Sequence, residues 1–246
     1  MKVSRALSLA VGAITLVLAA PAVASADTVV AYEMEEGPST ATDGDILHDS
    51  GTNGLNGHIG NLIQRRVPTG SGDYGFTFQG PVDVPNDERL ATVPDNPALD
   101  PGTLPYKVTV RFRTTRGKDP NIVQKGQSGQ TGGFWKVVLH NGWPRCHFRD
   151  GNGNTKAIGF VNGFPDYVKA GDGLWHTFIC ERTADGVRAT IDPGEPEGAT
   201  NFIRGTIGRI DNSRPLSIGG KVDCDSVTVG CDYFTGTMAY VHIEHP

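Results

Sequence analysis

Beyond position 26 no stretch of ten or more residues carries the 3.6-residue periodicity of an amphipathic helix, which argues against helical and alternating α/β architectures. No internal repeat and no low-complexity tract is present, so a solenoid or a disordered array is not expected. No apolar run after residue 26 is long enough to span a bilayer. Basic clusters are missing too. Arg65-Arg66 is only a pair, and 22 Lys and Arg stand against 27 Asp and Glu, for a formal charge of −5. Nucleic-acid binding rests on neutralising phosphates and is therefore not expected. There is no Gly-x-Ser-x-Gly elbow, no HExxH and no CxxC, and the 7 histidines show no ligand spacing beside the cysteines. Serine-hydrolase and zinc chemistry lose their usual sequence supports.

The amino-terminal segment has a different character. Lys2 and Arg5 precede an apolar run over 6–20, and Ala24-Ser25-Ala26 supplies a small-residue cleavage pattern. This predicts a secretory signal peptide over 1–26, a secreted, extracellular protein and no membrane span in its mature form. The segment holds two bases and no acid, so its removal makes the remainder more acidic. Residues 27–246 read as one domain, since all-β sandwiches of this size commonly form a single unit. The 33 glycines and 16 prolines make up about a fifth of the chain, below the ~25–30% that signals disorder, and fit many tight turns.

Short alternating runs fill the domain. Val108, Val110 and Phe112 alternate with Lys107, Thr109, Arg111 and Arg113, predicting a strand with one charged face toward water. Val187, Ala189 and Ile191 alternate with Arg188 and Thr190 after the turn residues Ala184-Asp185-Gly186, predicting a hairpin with the strand over 174–182. Asn141-Gly142, suited to the positive backbone angles of a type I′ turn, should pair 134–140 with 143–149. Pro94, Pro97, Pro101 and Pro105 mark a loop. Many short strands between regular turns predict an all-β fold, two antiparallel sheets packed as a sandwich or jelly roll.

Cys146, Cys180, Cys224 and Cys231 are an even set in an oxidising compartment. Three pairings are open. Cys224 and Cys231 enclose so short a segment that local closure favours them as one disulfide, leaving Cys146 with Cys180 as the other. The latter would join distant parts of the sandwich and stabilise it by roughly 3–4 kcal/mol in the chain-entropy model.

The strand beginning Leu174-Trp175-His176-Thr177, the strand ending at Asp192, the segment Arg214-Pro215-Leu216-Ser217-Ile218-Gly219-Gly220 and the closing segment from Tyr233-Phe234-Thr235-Gly236 to Ile243 follow one another in a telling order. Residues 31–37, Asp49-Ser50-Gly51 before Asn53-Gly54, residues 106–114 and Val123-Gln124-Lys125-Gly126 continue it upstream. Over about residues 28–244 the chain resembles the laminin-G-like domains of the concanavalin A-like lectin/glucanase superfamily. The resemblance implies a concanavalin A-like jelly roll. It also requires a search for catalytic carboxylates, because related glucanases use a Glu-x-Asp-x-x-Glu or Glu-x-Asp-x-Glu strand. The nearest string, Glu33-Met34-Glu35-Glu36, lacks the central aspartate and stands at the start of the fold. Glu195 and Glu197 fall in a Pro/Gly loop and read as solvated. No acid pair on one face meets the separations glycoside hydrolysis needs, so an enzyme is not expected, and His176 reads as a structural residue at a strand start.

In many relatives the last strand carries an aspartate that helps to bind a structural calcium; here that place is Ala239. Glu35 and Asp49 are the remaining candidate ligands, with Asp43-Gly44-Asp45 nearby; Leu47 rules out an EF-hand. No other cofactor is implied. Trp135 and Trp175 lie in apolar strands and are expected in the core. Trp143 follows the turn, and its two readings are a platform for a sugar ring or a rim residue capping the sandwich. Asn141, Arg145, Asp150 and Asn152 are the polar candidates beside it. The resulting expectation is a non-catalytic carbohydrate-binding module for an extracellular or cell-wall glycan, with an adhesion domain contacting an extracellular protein as the alternative and a glycan hydrolase or lyase, disfavoured by the missing acid pair, as the third reading.

Overall fold

A computed structural model describes residues 27–37, 45–79, 87–116, 119–160, 169–222 and 232–246. The expected signal peptide, Asp43-Gly44 and the expected Cys224–Cys231 bridge lie outside the described residues.

The chain forms β1 (Asp27–Tyr32), β2 (Ile46–Leu47), β3 (Gly57–Ile59), β4 (Gln64–Pro68), β5 (Tyr74–Phe78), β6 (Ala91–Val93), β7 (Tyr106–Arg113) and β8 (Asn121–Lys125). It continues with β9 (Phe134–His140), β10 (Trp143–Arg149), β11 (Thr155–Gly159), β12 (Trp175–Arg182), β13 (Gly186–Ile191), β14 (Ala199–Arg204), β15 (Leu216–Ile218) and β16 (Gly236–His245). Two antiparallel sheets result. The first runs β14-β13-β12-β7-β16-β5-β4, with β1 also on β16; the second runs β11-β10-β9-β8-β15-β6-β3-β2. The fold is an all-β jelly-roll sandwich.

Local chemistry explains the elements. Asn141 and Gly142 take φ of 52° and 87°, and the paired strands have the predicted ends. In β7 the inward Tyr106, Val108, Val110 and Phe112 are fully buried while the alternate residues are half-buried. Within residues 31–37 the strand ends at Tyr32, because Met34 turns the chain at φ 52° and drops into the core.

The Cys146–Cys180 disulfide is present and ties β10 of the second sheet to β12 of the first. It also fixes the facing of β10. Cys146 points toward the other sheet, as does Phe148, so Arg145, His147 and Arg149 point away, because successive residues alternate faces.

Trp135 is fully buried as expected and donates from Nε1 to the Leu99 carbonyl at 3.2 Å. Trp175 is not in the core. It shares parity with Thr177 and Ile179 on the outer side of β12, donates to the Thr69 carbonyl at 2.9 Å, and lies 5.2 and 5.0 Å from the guanidiniums of Arg111 and Arg113. The parity of Phe178 and Cys180, both fully buried, carries that signal in the sequence.

Lys125 is the element the sequence hides. Its ammonium is fully buried and donates to Asp95 at 2.7 Å, to both oxygens of Asp100 at 3.1 Å and to the Asn212 carbonyl at 2.7 Å. The proline-rich loop between β6 and β7 is thus fastened to β8 from inside.

Candidate functional site

The five residues expected to form a sugar site are not brought together. Asn141 and Asn152 are exposed but sit beyond opposite ends of β10, and seven strand residues span roughly 23 Å. Trp143 is 8% exposed and belongs to the main hydrophobic core, so it offers no ring to a ligand. Asp150 is 2% exposed. One of its oxygens accepts the N–H groups of Asn152 and Asn154, each at 2.9 Å, and the other accepts the Asn154 amide at 2.9 Å and the Gly208 N–H at 3.0 Å. Burial pushes its pKa up, but these donors outweigh it and hold the carboxyl below the usual range. It is a loop clip. Arg145 alone, half-buried on β10, faces a plausible binding surface.

Asp49, the expected metal ligand, accepts N–H donors from Ala31 at 2.8 Å and from Gly51 and Leu55 at 2.7 Å. The carboxylate pins the 49–55 loop to β1. Glu35 is exposed, Asp45 pairs with Arg65, and the buried Ala239 offers no oxygen side chain. Among the described residues no group of three or more His, Cys, Asp and Glu is arranged to hold a metal ion.

His176 has the carboxylate partners that sequence reasoning missed. Its Nδ1 lies 2.7 Å from Asp192 and its Nε2 3.0 Å from Asp172. Burial opposes its charge, but the hydrogen bonds from Asp192 and Asp172 prevail and raise its pKa, while Asp172 is lowered, its bonds to Leu174 and His176 outweighing burial. Both ring nitrogens are occupied, so the ring is a tie between β12 and the end of β13. The histidine's contribution to stability is complete below its unfolded value of ~6.5 and is lost as pH rises through the higher folded value; that of Asp172 is present above ~3.9 and is lost as pH falls through its lower folded value. Raising the pH from about 6 to about 9 should therefore lower the urea midpoint, and His176→Gln should remove that dependence. An unchanged pH profile in the variant would refute the tie.

The register of the second sheet assembles a different surface. Residues directly opposite in antiparallel strands share a face. Pairings Ile46↔His58, His58↔Thr92, Thr92↔Ser217, Ser217↔Gln124, Gln124↔Lys136, Lys136↔His147 and His147↔Ala157 form one row across all eight strands. His147 shows that the row is on the outer face. At the strand spacing of ~4.8 Å the row is roughly 34 Å long, and six consecutive members are polar; in its middle Ser217 and Gln124 are covered, and they donate to the Gly220 and Gly126 carbonyls at 2.8 and 3.2 Å.

Two cavities lie along it. One of about 150 Å³ is lined by Asn121, Gln124, Gln127, Phe134, Lys136 and Asp232 among others. Another of about 520 Å³ lies at His58, Thr92, Glu88 and Pro215. In the smaller one, Asn121 is 1% exposed and donates to Asp232 at 3.2 Å, yet its Oδ1 has no hydrogen-bond partner among the described residues. The buried Arg145 Nε and His147 Nε2 likewise lack partners among the described residues. Register joins Arg145 to Val138 and Val138 to Asn121, beside the polar row. Burial lowers the Lys136 pKa, and burial with the nearby Lys136, Arg145 and His140 brings that of His147 down to about 4. Side-chain amides, a lysine and a carboxylate can exchange hydrogen bonds with hydroxyls.

No protein-family model matches the sequence, and no curated protein matches it. Solved structures do. The binding domain of Paraclostridial Mosquitocidal Protein 1 aligns at 13% identity over 89% of this chain and 49% of its own, with a TM-score of 0.59. The botulinum neurotoxin serotype D ligand binding domain in complex with N-acetylneuraminic acid aligns at 12% identity over 89% of this chain and 47% of its own, with a TM-score of 0.57. Domains LG4-5 of the mouse laminin alpha1 chain align at 17% identity over 58% of this chain and 36% of theirs, with a TM-score of 0.43, too low to bear on the fold. The chain spans about half the length of the two toxin chains. What it shares with these binding domains is a β-sandwich fold.

Proposed function

We propose that the chain is a secreted, laminin-G-like, non-catalytic carbohydrate-binding module that holds an extended glycan against the outer face of the second sheet. The observation that carries this reading is the polar row from His58 to His147 with the Asn121 cavity beside it. Buried polar groups are normally hydrogen-bonded, and Asn121, 1% exposed at the edge of that cavity, keeps an acceptor that no described residue uses. Fold sharing with domains described as binding domains, one of them in complex with N-acetylneuraminic acid, supports a binding role. A glycan array on the mature protein should give a hit, and Gln124→Ala should weaken it about fivefold to about tenfold in the fraction that urea curves show to be folded, as expected for one lost hydrogen bond. A broad array without a hit would refute the reading.

Adhesion to a protein is the second reading, favoured by one observation. The outer face of the first sheet carries the half-buried Trp175 between Arg111 and Arg113, and Tyr240 stacked on His242 at 4.5 Å. Aromatic and arginine side chains are the commonest anchors of protein interfaces.

A further inference from the structure

We infer that the glycan held on this face carries a carboxylate, which seats between Arg145 and Lys136. The inference rests on the reading of the second sheet given above and assigns the chemical class of the ligand.

The groups without partners show what is wanted. Arg145 presents a buried Nε–H with no acceptor among the described residues, and the Nε edge of a guanidinium is the planar fork that matches a carboxylate. Lys136 lies one step away on the neighbouring strand, since it pairs with His147 while Arg145 is two residues from His147 on the same face. No ion pair to a carboxylate is formed by either side chain among the described residues, although burial already works against the charge of Lys136. Its Nζ lies 5.8 Å from the centroid of the Phe134 ring.

The local charge balance agrees. The smaller cavity holds Lys136, Lys221 and Asp232, and Asp232 is engaged, accepting from Asn121 at 3.2 Å and pairing with Lys221 at 3.8 Å. His140 and Asp119 pair with each other at 2.8 Å beside β9. Arg145 adds a further cation. The chain as a whole is acidic, at −5, so a polyanion is not drawn in by its net field and must be recognised locally. Asn121 Oδ1, which has no donor among the described residues, can accept a hydroxyl of the same ligand, and a neutral Nε2 of His147 suits a second one. A carboxylate with neighbouring hydroxyls is the pattern of an acidic sugar. Phe134, 7% exposed, offers only an edge of apolar surface.

The test titrates the mature protein with oligouronates of differing stereochemistry, with the same oligomers after reduction of their carboxyls to alcohols, and with sulfated oligosaccharides of equal length. At least one oligouronate should bind about tenfold or more tighter than its reduced form, the effect of a charge-assisted hydrogen bond. Arg145→Gln and Lys136→Met should each bring its affinity down to that of the reduced form. Arg145→Lys, which keeps the charge and loses the fork, should recover only part. Urea midpoints confirm that the variants fold. Equal binding of native and reduced oligomers would overturn the carboxylate and leave the glycan reading standing. Tighter binding of the sulfated series would overturn the choice of carboxylate over sulfate. Failure of every oligosaccharide would overturn the glycan reading itself.

Discussion

Lys125→Met should destabilise the protein by about 3–5 kcal/mol, lowering its melting temperature by roughly 6–20 °C for a domain of this size. The side chain is fully buried and its ammonium touches both oxygens of Asp100, which is itself 8% exposed. Burial already raises the Asp100 pKa, against the lowering effect of Lys125 and of the Asn212 N–H. Without the lysine, Asp100 must take up a proton or remain as an uncompensated charge, and the Asn212 carbonyl loses its donor. Methionine fills the space, so packing is nearly conserved and the loss reports electrostatics. Removing both charges in Lys125→Met/Asp100→Asn should recover part of the stability, because neutral groups need no compensation. Urea unfolding of the two variants measures it. A single-variant loss below about 1 kcal/mol would show that the buried ion pair does not hold the loop to β8.

Trp143→Ala should cost about 3–5 kcal/mol, the range for a buried tryptophan, while Trp175→Ala should cost only about 1–2 kcal/mol, the worth of its stacking on Arg111 and Arg113 and one hydrogen bond. The contrast follows from position. Trp143 is packed in the main core at the start of β10, whereas Trp175 lies half-buried on the outer face of the first sheet. Glycan binding by the folded fraction of Trp143→Ala should match that of the wild type, since the ring is not presented to a ligand. Denaturant curves for the two variants decide it. Equal losses, or a Trp143→Ala protein of native stability that has lost its glycan, would return Trp143 to the role of a sugar platform.

These tryptophans show what a sequence discloses in a sandwich. Alternation is local, so β7, β12 and β13 and the Asn141-Gly142 hairpin were legible, and the fold class followed. Parity also held the clue for Trp175, overlooked because the strand as a whole is apolar. Trp143 is harder. It has the parity of Arg145 and His147, and nothing in the residues around the turn reveals that it is covered. The expected site failed for a geometric reason, since residues close in sequence along a strand are far apart in space: Asn141 and Asn152 flank one strand at opposite ends. The polar row was out of reach for the converse reason. It joins His58, Thr92, Ser217, Gln124, Lys136 and His147 through the pairings β3·β6, β6·β15 and β15·β8, whose register is set by the packing of distant segments. Lys125 and Gln124 stand side by side in a strand buried on both faces, and only the tertiary fold decides which of them enters the core.

The central claim, that the outer face of the second sheet binds glycan, is tested most directly by backbone amide chemical shifts during titration with an array-positive oligosaccharide. The amides of β8, β9 and β10 around Gln124, Lys136 and His147 should shift in a saturable way, with those of β7 and β12 unmoved. Shifts confined to the face bearing Trp175, Arg111 and Tyr240 would contradict it.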